Sequence, residues 1–209
     1  GFDTYYNPRR MNFGALRVLN DDRVEAGKGF GTHPHKNMEI ISIPLKGKLK
    51  HGDSNKNSRT ITIGDIQTMS AGTGIYHSEM NGSDTEPVEF LQIWVMPEKL
   101  NTPPAYQDYD IRPFLRKNEL ALIVSPDGDA PAKMLQQTWF SIGEIEAGKK
   151  IGYHMHQSHA GVYIFVIEGE VKVDDTVLSR RDGMGVYDTH SFELETLKDS
   201  HILLMEVPM

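Results

Sequence analysis

Apolar and polar residues alternate along this chain in short runs, and no stretch beyond roughly ten residues sustains a 3.6-residue period. The runs are rich in Val, Ile, Tyr, Phe and Thr and are punctuated by Gly, Asp, Asn and Pro, which favours strands and turns over helices. The pattern predicts strands over Asn37–Leu45, Arg59–Ile63, Val88–Val95, Leu120–Val124, Gln137–Ile142, Val162–Ile167, Val171–Val173, Phe192–Thr196 and His201–Val207. Short strands at such regular intervals point to sandwich or barrel sheets. The segment Glu98–Lys117, with Pro103, Pro104 and Pro113, breaks the rhythm and reads as a charged connector holding one helical turn near Phe114–Lys117.

An internal repeat divides the chain. Gly27 precedes His33-Pro34-His35 by the same spacing with which Gly148 precedes His154-Met155-His156. In each half a strand follows and ends at a Gly turn, Gly47 or Gly169, and a Gly/Asp turn comes later, Gly64-Asp65 or Asp182-Gly183. Two copies of one small β unit account for the repeat, with the boundary expected between residues 110 and 111.

Composition narrows the chemistry. The 209 residues carry 22 Lys+Arg against 29 Asp+Glu, a formal charge of -7 that repels nucleic acid and anionic lipid, so neither is expected as a partner. Cysteine is absent, which removes disulfides, thiolate metal ligands and a cysteine nucleophile together. Any metal must sit on His, Asp or Glu. The apolar runs, such as Val162–Ile167 and Ile202–Met205, are too short to cross a bilayer, and the opening GFDTYY has neither a basic nor an apolar signal region. A cytoplasmic monomer is the expectation.

The histidines carry the strongest signal. Residues two apart in a strand share a face, so His33 and His35 can present two imidazoles side by side, and His77 and Glu79 repeat that geometry after the turn Gly72-Thr73-Gly74. Facing each other inside a barrel, the two pairs would supply three neutral nitrogens and one carboxylate, leaving open positions on a divalent ion. Glu39 has the same strand parity as His33 and His35 and competes with Glu79 for the carboxylate place. Imidazole must be neutral to ligate, so metal binding is expected to weaken as pH falls through about 6.5. His51 reads as a hydrogen-bonder in a polar turn, Trp94 and Trp139 as core, and Met38, Met69, Met80 and Met96 as candidates to line an apolar pocket.

The strings Gly31-Thr32-His33-Pro34-His35-Lys36-Asn37-Met38-Glu39, Gly64-Asp65-Ile66-Gln67 and Met69-Ser70-Ala71-Gly72-Thr73-Gly74-Ile75-Tyr76-His77-Ser78-Glu79 resemble the signature of the pirin family. Asn7-Pro8-Arg9-Arg10-Met11 and Arg17 to Val24 add to the resemblance, which runs over nearly the whole chain. It implies an all-β bicupin, two tandem cupin β-barrels, with the metal in the N-terminal cupin alone and the C-terminal cupin (111–209) metal-free. It places the ligands on His33, His35, His77 and Glu79 and so favours Glu79 over Glu39. Fe(II) is the first expectation for the ion, the same donors also suiting Mn, Co, Ni or Zn. For bacterial members it implies quercetin 2,3-dioxygenase activity, with a small aromatic substrate, O2, and Glu79 as the base for the substrate hydroxyl. Eukaryotic pirin, a nuclear transcription cofactor, implies the alternative of an iron-bearing redox sensor acting through a protein partner. Family members usually have a further strand ahead of the position of Gly1. The second half departs from the signature after His154 and His156: only Asp188 and His190 stand where a second ligand pair would be.

Overall fold

The computed structural model describes residues 3–6, 11–53 and 58–209, so the 7–10 part of the upstream motif lies outside the described residues. Eight strands of the first half carry the repeat: β1 (Leu16–Val24), β2 (Gly29–His35), β3 (Glu39–Lys46), β4 (Leu49–Asp53), β5 (Ser58–Ile61), β6 (Asp65–Ser70), β7 (Ile75–Asn81) and β8 (Val88–Val95). The second half repeats them as β9 (Trp139–Ile145), β10 (Lys150–His154), β11 (Ala160–Glu168), β12 (Val171–Val173), β13 (Thr176–Leu178), β14 (Gly183–Tyr187), β15 (Ser191–Thr196) and β16 (Ser200–Pro208). The sheet orders β6-β3-β8-β1 and β2-β7-β4-β5 in the first half recur as β14-β11-β16-β9 and β10-β15-β12-β13 in the second, so the repeat read from the glycines and histidines is a repeat of topology. The connector holds a strand over Ala105–Asp110, on the free edge of β6, and a single 3-10 turn at Arg112–Phe114, slightly ahead of the predicted position.

The compact units are not contiguous in sequence. One comprises Leu16–Arg112 with Ala132–Gln136; the other comprises Gly1–Ala15, Pro113–Pro131 and Gln137–Met209. This differs from the single boundary expected between residues 110 and 111, for two local reasons. The strand Asp3–Tyr6 pairs antiparallel with β14, Asp3 opposite Tyr187 through Tyr6 opposite Met184. The short return Ala132–Gln136 is held by Glu39, whose carboxylate accepts from the backbone N–H of Leu135 at 2.7 Å and of Gln136 at 2.8 Å.

The two interiors differ. In the second unit, alternate residues of both sheets, among them Ile145, Val162, Ile164, Phe192, Leu194 and Leu204, merge into one apolar cluster. In the first unit, Leu49, Ile61, Val88 and Phe90 form one cluster and Ile40, Met69, Ala71 and Ile75 another, with polar side chains buried beside them. Met38 and Trp94 pack on the latter group, whereas Met80 and Met96 are exposed, so only part of the expected methionine lining is present. Among the described residues no helix is long and apolar enough to cross a membrane.

Because the Glu39 carboxylate satisfies two backbone donors, Glu39→Ala orphans both. We expect it to lower stability by roughly 1–3 kcal/mol, read as a shifted urea midpoint.

Candidate metal centre

The register of β2 on β7 sets the geometry. Gly29 lies opposite Met80 and Phe30 opposite Glu79, and after an irregularity His33 lies opposite His77. Gly31 and Thr32 therefore stand against Ser78 alone, a β-bulge. Strand side chains alternate, and one extra residue reverses the alternation, so the bulge brings His33 and His35 onto the face where His77 and Glu79 are buried. The turn Gly72-Thr73-Gly74 starts β7 as the sequence suggested. Gly72 sits at φ +50, where any Cβ would collide with the Thr102 carbonyl oxygen, and the Thr73 and Gly74 N–H groups donate to Thr102 O and Ala71 O at 3.0 and 2.9 Å.

The imidazoles converge. The nearest ligating nitrogens of His33, His35 and His77 all lie within 4.8 Å of one another. His33 Nε2 and His77 Nε2 are 2.6 Å apart. His33 Nδ1 meets the Gly31 carbonyl oxygen at 2.8 Å; a carbonyl only accepts, so this nitrogen carries the proton and Nε2 offers its lone pair to the cluster. His35 Nε2 is buried with no hydrogen-bond partner among the described residues, and the ring meets the edge of Trp94 at 5.0 Å. Glu79 Oε1 lies 3.6 Å from His77 Nε2 and accepts from Gln92 Nε2, whose own oxygen accepts from Trp94 Nε1 at 3.0 Å. A divalent ion holds its donors at about 2.1 Å, which separates neighbouring donors by about 3 Å. His33, His35 and His77 offer nitrogens close enough together to share such an ion, Glu79 Oε1 lies beside His77, and the bare His35 nitrogen is the kind of atom an ion would satisfy.

Glu39 and His51 fall differently from the sequence expectations. The parity argument for Glu39 fails because the strand is broken between His35 and Glu39: Asn37 has φ 48, and β3 starts afresh. Glu39 instead binds Leu135 N, Gln136 N and Ser70 Oγ, away from the imidazoles. His51 is not in a turn. It lies on β4, fully buried, opposite Glu79, with Nε2 2.8 Å from His77 Nδ1 and its ring stacked on Tyr106 at 4.7 Å. For His77 to present a lone pair at Nε2 it must carry its proton on Nδ1 and donate it to His51, so His51 sets the tautomer of His77. The alternation Leu49-x-His51, which puts His51 on the face of a core leucine, is the signal that could have found it; Gln92 carries no comparable signal.

Burial controls the protonation of these groups. Desolvation, assisted by the neighbouring rings, lowers His77 to about 2 and His35 to about 4, so both are neutral where an unburied histidine would begin to charge. Desolvation also raises Glu79 to about 7, against the Gln92 hydrogen bond and with help from the Asp22 charge. Burial likewise raises Glu39, opposed by its backbone donors.

The histidines of the second half point elsewhere. β10 pairs with β15 without a break, from Lys150 opposite Glu195 to His154 opposite Ser191. With no bulge the alternation is not reversed: Tyr153, Phe192 and Leu194 fill the interior, and His154 is exposed. His156 lies beyond the strand, stacked on the buried Trp139 at 5.1 Å. Among the described residues, both clusters of metal-ligating side chains lie in the first unit.

Comparison with known proteins finds a different family model in each half of the chain. Residues 1–95 match the family Pirin, and residues 122–207 match the family Quercetinase C-terminal cupin domain. A quercetin 2,3-dioxygenase of Escherichia coli K12 is 39% identical over 212 residues, covering 99% of this chain and 88% of that protein. The crystal structure of YhhW from Escherichia coli superposes with a TM-score of 0.89 at 36% identity, covering 99% of this chain and 91% of that one. The structure of bacterial pirin YhhW in complex with nickel(II) gives a TM-score of 0.88 at 36% identity, covering 100% and 89%.

The shifts have a sign that metal-free protein can test. Lowered His35 and His77 contribute stability that is lost as pH falls below about 6.5, whereas raised Glu79 loses stability as pH rises from its unfolded value near 4.5 toward 7. In the window between, the two histidines make stability to urea rise with pH and Glu79 opposes them. Glu79→Gln should steepen the rise and His77→Phe should flatten it.

Proposed function

This chain belongs to the pirin family, and on that premise we propose that its first unit holds one divalent metal on His33, His35, His77 and Glu79 and cleaves a flavonol such as quercetin with O2. The observation that carries the reading is the convergence of three imidazoles, one with a buried nitrogen lacking a partner, beside a carboxyl whose protonation is balanced near neutral pH. The nickel-bound bacterial pirin supports a single divalent ion. Fe(II) is our first assignment, with Mn, Co, Ni and Zn compatible with the same donors. When bound, the ion supplies a Lewis-acid centre that favours the deprotonated substrate hydroxyl and delivers electron density toward O2.

The side chains supply the rest. Glu79, once displaced from the ion or protonated on substrate binding, would take the hydroxyl proton, and the Gln92 amide holds the carboxyl in place. His51 holds the His77 ring, and Trp94 packs perpendicular to the His35 ring, closing one side of the cluster with an apolar wall suited to a flat aromatic. We assign no metal to the second unit, since its interior positions carry Tyr153, Phe192 and Leu194. The regulatory reading, in which metal oxidation state alters a protein contact, draws on Tyr76 and Met80, exposed on the outer face of the strand that carries His77 and Glu79.

Aerobic loss of quercetin absorbance on iron-loaded protein tests the enzyme. Rapid, metal-dependent loss is expected; none, together with oxidation-dependent association, would replace it by the regulatory reading. Elemental analysis should give one metal per chain, and His33→Ala, His35→Ala and His77→Ala should each cut metal affinity by about 10–100-fold or more and abolish turnover. Stoichiometric metal in all three variants would overturn the site. Glu79→Ala should lose turnover where Glu39→Ala keeps its metal.

Deleting Thr32 should have the same effect as a ligand substitution, since it removes the bulge and turns His33 and His35 outward; full metal retention would show that the register does not set the site. The pH profile of metal affinity also moves from the sequence expectation. With His35 and His77 already neutral, the fall on acidification should centre near 7, where Glu79 must give up its proton, and Glu79→Gln should flatten it.

A further inference from the structure

The second unit holds a cleft of about 500 Å³ with an oriented imidazole on its wall. Its lining includes Leu120, Leu122, Ile151, Tyr153 and His156. Behind the wall lies Glu206, fully buried. One or both of its oxygens accept from the His156 backbone N–H at 2.9 and 3.0 Å, the Gln157 N–H at 3.2 Å and the Tyr153 hydroxyl at 2.8 Å. The same carboxyl meets His156 Nδ1 at 3.0 Å. An oxygen that already accepts from a backbone N–H and a hydroxyl faces a protonated ring nitrogen, so Nδ1 carries the proton and donates it. The ring lies almost parallel to Trp139, 5° between planes. Its orientation is thus fixed from two sides, and Nε2 remains as a lone-pair acceptor with no hydrogen-bond partner among the described residues.

We propose that this cleft is a second, metal-independent small-molecule site that takes a neutral, flat ring bearing an acidic hydroxyl, a phenol or enol, with the hydroxyl donating to His156 Nε2. The volume falls within the range of ligand pockets, and a few polar groups set among apolar walls is their usual lining. The charge pattern selects the class. No Lys or Arg lines the cleft and Glu119 does, so a carboxylate or phosphate would find no permanent positive charge beside the two histidines, His154 and His156. Leu120, Leu122 and Ile151 offer the ring its apolar contact, and burial beside Glu206 raises the Tyr153 hydroxyl, which stays a donor and holds the carboxyl in place. Binding involves a hydrogen bond and no bond making or breaking, and it rests on neither the metal centre nor its reaction.

Three probes of one size decide it: 4-methylphenol, 4-methylanisole, which lacks the O–H, and 4-methylbenzoate, which is anionic. Each is titrated into the intact, metal-loaded chain while the His156 ring resonances are followed by NMR. 4-Methylphenol should shift them saturably, and the other two should bind at least about tenfold more weakly, the loss expected for one unmade hydrogen bond. His156→Phe keeps a flat ring against Trp139 and removes Nε2; with native circular dichroism it should abolish phenol binding at this cleft, monitored on the Ile151 methyl resonances. His77→Ala should leave the binding unchanged, which separates it from the first unit's site. Equal binding of phenol and anisole, preference for the benzoate, unaltered binding in His156→Phe, or no His156 shift with 4-methylphenol would each overturn the proposal.

Discussion

One inserted residue governs what the two halves of this chain become. In β2 the Gly31-Thr32 bulge reverses the side-chain alternation just before His33, and two imidazoles that would otherwise face outward join His77 and Glu79 inside. β10 runs past β15 unbroken and keeps its histidine outside. The surrounding skeleton is the same in both, strand for strand. Burying two imidazoles and a carboxyl, with two more imidazoles half-buried beside them, is expensive unless each polar atom finds a partner or an ion. The contacts of His33 with Gly31 O, of His77 with His51 and of Glu79 with Gln92 meet part of that requirement with side chains from four strands, and the facing Nε2 lone pairs of His33 and His77, with the His35 nitrogen left over, mark where an ion would complete it.

Much of this was legible in the sequence because strands advertise themselves through alternation. Val88–Val95 and Val171–Val173 lie where the pattern puts them, and the HxH and HxE pairs lie on strands with their side chains where i and i+2 geometry requires. β1 was not visible: Asn20 and Asp22, half-buried on its inner face, remove the apolar signal at the positions where a strand normally shows it. His51 was hidden by its neighbours, since Lys50, Gly52 and Asp53 make the string look like a turn. Glu39 was misleading for the opposite reason, as a parity rule was carried across residues 36–38, where the backbone leaves the strand and Asn37 turns left-handed. In each case the missing information was the register between strands, which a single chain's pattern does not contain.

The second barrel shows what the shared skeleton does when its interior is apolar. Tyr153, Phe192 and Leu194 knit its two sheets into one cluster, and the polar chemistry retreats to the rim, where Glu206 orients His156 through a backbone N–H and a ring N–H together. A carboxylate behind an imidazole is the same device in outline as His51 behind His77: a buried partner fixes which nitrogen of the outer ring is available. The two halves thus use one strategy with different partners and at different depths.

The interleaving of the units bears on the order in which the chain can fold as it is made. The Glu39 carboxylate receives Leu135 and Gln136 only after some hundred later residues have been added, so the N-terminal barrel is synthesised well before it is complete. Asp3–Tyr6 pairs with β14, far later in the chain. Such long closures favour late, concerted folding over the sequential domain-by-domain route that two tandem barrels would suggest. It also means that cutting the gene at the apparent linker yields one piece lacking its buried carboxylate's partners and another lacking an edge strand.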